Sequence, residues 1–193
     1  MYESVAEIKE KFDLRGEEFL MRCERMTLEE LNLLPEREAA AALERCCGAR
    51  AWVAAMCAAR PFRDSADLER ASTRAEASLG RDDWLEAFAH HPRIGDREAL
   101  SRRFATTAAW ASDEQRGATG ASEATLDALE RGNRAYEERF GYGFIVCATG
   151  KSADEMLALL ESRLGNAADA ELAIAAGEQR KITRLRLEKL LGE

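Results

Sequence analysis

The chain has 193 residues, 46% hydrophobic and 33% charged, with a formal net charge of −8. That apolar fraction can form a buried core, and charges spread along the chain argue against bulk disorder. The acidic balance argues against non-specific nucleic-acid binding, which needs a basic footprint. No apolar run nears the ~20 residues needed to cross a bilayer, so no membrane partner is expected. The start, MYESVAEIKEKFDLRGEEF, lacks the apolar centre of a signal peptide. Five cysteines (Cys23, Cys46, Cys47, Cys57, Cys147) form an odd set without framework spacing. Free thiols and a cytoplasmic location are the expectation.

Residues 1–25 are amphipathic and read as an N-terminal helical extension or arm, leaving 26–193 as the main domain. MTLEELNLL predicts a short helix with Thr27 as N-cap and Glu30 completing a capping box. Pro35 suits the first turn of the next helix, which Gly48 can end. ARAWVAAMCAARPF predicts a third helix, stopped before Pro61. Ser65 or Asp67 opens a fourth, running to about Leu79 or Gly80. Another helix ends near Ala89 or His90, because Pro92 pushes His91 into extended geometry. DREALSRRF, TAAWASDEQRGA and SEATLDALERGNRAYEERFGY read as helices, the last with Gly132 as a weak point. Phe144–Cys147 is a short apolar run between Gly143 and Gly150. It is a strand, or an extended segment whose backbone groups need other partners, among them a ligand. KSADEMLALLESRLGN and ADAELAIAAGEQRKITRLRLEKLL close the chain as helices. The prediction is a single-domain, all-α helical bundle with one short extended segment near 144–147.

Three places are candidates for chemistry. His90 and His91 are the only histidines, and His91 sits on a loop stiffened by Pro92. An imidazole there can exchange a proton near neutral pH, or it can simply face the last carbonyls of a helix, a role that suits His90 better. Glu114 and Gln115 lie in an alanine-rich helix, either orienting a polar ligand or forming a solvated acidic patch with Asp113. On the last helix, Leu172, Ala175, Gln179, Ile182 and Arg186 share one stripe. A guanidinium inside that stripe needs an anionic or strongly polar partner, from the protein or from a ligand. Lys181 and Arg184 read as surface charges. No metal is expected, since the adjacent histidines and the Cys46–Cys47 pair lack ligand spacing.

Taken in order, these segments resemble a known pattern. HPRIGD, the Trp110-to-Gln115 segment and the run from Asn133 to Ala148 are followed by GKS (150–152), RLGN (163–166) and the ending from Glu178 to Leu187. Together they resemble the 2-oxo-4-hydroxy-4-carboxy-5-ureidoimidazoline (OHCU) decarboxylase family, over about Thr27 to Leu191. The resemblance implies an all-helical homodimer without cofactor that converts OHCU to (S)-allantoin in urate breakdown. It implies His91 as the catalytic acid, with Glu114 and Arg186 as further catalytic groups. It places Pro92, Ala111, Gln115, Phe144, Ile145, Val146, Cys147 and Ala148 along the substrate. One position departs from the pattern. Many members carry serine where this chain has Ala111, and Ser112 would point about 100° away on a helix. Two alternatives stay open: a helical binding or scaffold module without catalysis, and a related ring lyase or hydrolase on the same scaffold.

Overall fold

Local capping chemistry sets most helix starts. In the structure, a computed structural model that describes residues 26–91 and 122–192, Thr27 accepts from the Glu30 amide. The Glu30 carboxylate returns a bond to the Thr27 amide at 2.7 Å, closing the expected capping box before α1 (Leu28–Leu33). Pro35 is the N-cap of α2 (Glu36–Glu44). This helix ends short of Gly48, because the Cys46 and Cys47 amides turn back onto the Leu43 carbonyl. α3 (Arg50–Ala58) stops three residues before Pro61. Ser65 opens α4 (Ser65–Ala77), as expected, with Asp64 as its N-cap, and the helix ends at Ala77, short of Leu79. α5 (Arg81–Ala89) follows, with His90 as its C-cap. Ser122 caps α6 (Glu123–Phe140), and Ser152 with Glu155 forms the capping box of α7 (Ala153–Arg163). α8 (Ala168–Leu190) is last. Among the described residues every regular element is a helix, so the all-α expectation holds. The expected arm at 1–25 and the helices in DREALSRRF and TAAWASDEQRGA lie outside the described residues.

The chain divides into two compact units, residues 1–78 with 183–193, and residues 79–182. In the first unit α2, α3 and α4 pack in sequence. Leu31, Leu43, Trp52, Met56 and Leu68 are fully or almost fully buried there. Its buried polar groups form a short hydrogen-bonded relay. The Trp52 indole donates to Ser72 Oγ at 3.3 Å, and Ser72 donates to Glu76 Oε1 at 3.2 Å. Arg60 Nη1 donates to the Leu31 and Leu34 carbonyls, both at 2.8 Å, and so closes the end of α1.

In the second unit α6 packs on α7. Gly132 is no weak point: α6 runs through it unbroken. A Cβ at Gly132 would stand 2.5 Å from Leu160 Cδ2 of α7, so the missing side chain lets the two helices approach. Aromatic rings fill the end of the unit. Tyr136 lies edge-on to Phe144 with centroids 5.1 Å apart, and Phe88 meets Tyr142 at the same separation.

A buried ion pair lies at the centre of this unit. Glu171 is completely buried, and Arg163 nearly so. Arg163 Nε and Nη2 donate to Glu171 Oε1 at 2.8 and 2.5 Å, and Asn166 Nδ2 donates to Oε2 at 2.7 Å. The Tyr136 hydroxyl also donates to Glu171. Burial, then this hydrogen bond, hold the Tyr136 phenol well above its ordinary pKa.

Candidate active site

The extended segment at 144–147 has no strand partner among the described residues, so its backbone must be satisfied otherwise. Side chains do this at three points. Arg163 Nη1, the arm not spent on Glu171, donates to the Ile145 carbonyl at 2.9 Å. Its guanidinium also lies 4.6 Å from the Phe144 ring centroid. The Cys147 amide donates to Glu178 Oε2 at 2.8 Å, and Lys151 Nζ donates to the Cys147 carbonyl at 2.7 Å. Phe144, Ile145, Val146 and Cys147 are buried, and Ala148 is half-buried. The apolar run is thus a pinned segment, and Cys147 N–H is held by the protein itself.

Glu178 lies on α8. Burial alone would raise its carboxyl, but hydrogen bonds from Lys181 and the Cys147 amide outweigh that and hold it below the ordinary range. Its neighbour Gln179 is completely buried. Gln179 Oε1 lies 2.5 Å from His91 Nε2. His91 is where the proline argument puts it, one residue past the C-cap of α5, its amide bonded to the Phe88 carbonyl at 3.1 Å. His90 is exposed. In the second unit, then, consecutive residues of α8 hold the extended segment through Glu178 and the histidine through Gln179.

Arg186 belongs to the first unit. It is half-buried, and Nη1 donates to the carbonyls of Arg45 and Cys46 at 3.2 and 3.4 Å, just past the end of α2. Its strongly polar partner among the described residues is therefore backbone. Lys181 and Arg184 are exposed, as expected. The buried line of α8 passes through Glu171, Ala175, Gln179, Thr183 and Leu187, one position away from the expected stripe at Leu172, Ile182 and Arg186. Pro92, Ala111, Glu114 and Gln115 lie outside the described residues.

Several residues of this arrangement, among them Gln179, Tyr136, Arg163 and Glu171, had no role in the sequence reading. Gln179 carried a signal, a polar side chain within an apolar stripe. Tyr136 and Arg163 fell inside matched motifs without a stated function. Glu171 carried none, since a lone glutamate on a helix defaults to solvent.

Comparison with known proteins identifies the family. The family model described as OHCU decarboxylase matches residues 32–188. The chain belongs to the OHCU decarboxylase family. An OHCU decarboxylase of Amia calva is 33% identical over 141 residues, 72% of this chain and 78% of that one. The uric acid degradation bifunctional protein TTL of Arabidopsis thaliana is 34% identical over 148 residues, 77% of this chain, which spans 46% of that longer protein. A crystal structure of OHCU decarboxylase in the presence of (S)-allantoin is similar with a TM-score of 0.63 and 31% identity. The match covers 78% of this chain and 96% of that one.

Proposed function

We propose that this chain is a carboxy-lyase that converts OHCU to (S)-allantoin in urate degradation. The observation that carries this is the family match over 32–188. His91, held at the end of α5 in the same unit as the pinned 144–147 segment, is the local geometry that suits it. In the reaction the bond from the ring carbon to its carboxylate breaks and CO₂ leaves. The electron pair forms a double bond to the ureido-bearing carbon as the nitrogen of the adjacent C=N takes up a proton, giving an enol whose hydroxyl then releases its proton and becomes the ring carbonyl. The ureido-bearing carbon then takes a proton on one face. The ring accepts the electrons, so His91 has one task, to deliver that proton from a fixed side.

The other roles rest on the resemblance. Arg186 binds a ring oxygen, and Glu114 binds the hydroxyl and ureido groups beside the leaving carboxylate. Pro92, Ala111, Gln115 and the 144–148 segment line the substrate. Residues 26–193 form the decarboxylase domain and 1–25 an arm. Family resemblance supports a homodimer. Four free thiols, at Cys46, Cys47, Cys57 and Cys147, support a cytoplasmic location. No described helix is long and apolar enough to cross a membrane.

The test is the rate at which the purified protein consumes freshly generated OHCU, with circular dichroism following the allantoin formed. Acceleration with an optically active product is expected. His91→Asn should lower turnover by about 10²-fold or more, whereas His90→Asn should remain near wild type. Racemic allantoin at the spontaneous rate would overturn the reading. Ala111, where many members carry serine, is what favours a second one, a related ring lyase or hydrolase. That reading predicts that Ala111→Ser creates OHCU activity the natural chain lacks.

A further inference from the structure

We propose that Gln179 is the positioning residue that decides which ring nitrogen of His91 delivers the proton, an inference that rests on the decarboxylase reading. Gln179 is the buried amide on the inward line of α8, and its Oε1 lies 2.5 Å from His91 Nε2. A carboxamide oxygen accepts and cannot donate. The Nε2 nitrogen therefore carries a hydrogen, and in the neutral ring Nδ1 does not.

The same bond survives protonation. An imidazolium donates from both nitrogens, so Nε2–H stays on Gln179 while Nδ1–H becomes the acidic proton. When His91 gives up that proton it returns directly to the Nε2–H form. Gln179 keeps its hydrogen bond through the whole cycle, and the ring need not flip or reorient. Such preorganisation lowers the barrier without a cost at the moment of transfer. The sequence places the amide well for this. Gln179 follows Glu178, which holds the Cys147 amide, so one turn of α8 fixes both the acid and the pinned segment.

Two measurements test the assignment. The first is imidazole ¹⁵N NMR on His90→Asn protein, in which His91 is the sole histidine. The neutral ring should be predominantly the Nε2–H tautomer. In the same background, Gln179→Met should spread the ring between tautomers, while Gln179→Glu, which still offers an acceptor, should keep Nε2–H. The second is steady-state kinetics. Gln179→Met should lower kcat by about 10–100-fold, as expected for a group that orients an acid–base histidine, with KM within about threefold of wild type. Far-UV circular dichroism confirms that each variant is folded. An Nδ1–H ring in the parent protein overturns the proposal, and so does a folded Gln179→Met variant with unchanged tautomer and kcat. Absence of OHCU turnover in the natural chain would instead sink the decarboxylase reading, and the NMR result would still stand or fall on its own.

Discussion

The two units bury polar groups in different ways. In residues 79–182 the buried centre is ionic: Arg163 and Glu171 share two hydrogen bonds, and Asn166 and Tyr136 complete the carboxylate. In residues 1–78 with 183–193 the buried relay runs from an indole through a hydroxyl to Glu76. An ionic centre offers direction and reach. Arg163 uses one guanidinium for the carboxylate on α8, the Ile145 carbonyl and the Phe144 ring. A hydroxyl relay cannot hold so many elements at once. The unit that carries His91 and the extended segment is built around this charge pair. Its exposure to mutation follows, because removing one partner leaves the other charge buried.

The largest expected effect tests that asymmetry. Arg163→Met leaves Glu171 without its counter-charge and should cost about 3–5 kcal/mol by urea unfolding. It should also release the Ile145 carbonyl. A loss below about 1 kcal/mol would show that the ionic centre is not what holds this unit.

Gly132→Ala comes next. Alanine favours a helix by about 1 kcal/mol over glycine in isolation, so a net loss would report the close approach of Leu160. We expect destabilisation of about 1–3 kcal/mol, the range for overpacking, because the fully buried Leu160 would have to move away from a Cβ 2.5 Å from its Cδ2. A rise in Tm would mean that the two helices separate easily.

Ser72→Ala probes the other unit. It removes the acceptor of the Trp52 indole and one donor to Glu76, at about 1–2 kcal/mol. This should be clearly smaller than the Arg163→Met effect. Equal losses would erase the contrast between the units.

The smallest effect at neutral pH concerns Cys46, whose thiol burial pushes up from an ordinary value of 9.0 to about 12. The folded state then keeps its proton where the unfolded state loses it. Stability should be unaffected below pH 9 and fall as pH rises from 9 towards 12, since the unfolded chain binds fewer protons there. Cys46→Ala should flatten that alkaline slope in unfolding titrations. An unchanged slope would mean that the thiol does not contribute.

The sequence by itself determined what depends on neighbours within about four residues. The capping boxes at Thr27 and Ser152 follow from side chains bonding nearby amides, and the end of α5 and the place of His91 beyond it from the backbone restriction a proline puts on the residue before it. Periodicity likewise identified Ala175 and Gln179 as inward on α8. Only the tertiary structure decided which partners those inward groups meet. His91 and Gln179 are 88 residues apart, and Glu171 faces inward because Arg163, Asn166 and Tyr136 surround it. Gly132 reads as a helix weakness until Leu160 is placed against it. The backbone of 144–147 reads as unsatisfied until Arg163, Glu178 and Lys151 reach it. A buried charge or a bare extended segment is unfavourable in the local chain, and only a distant partner reverses its sign.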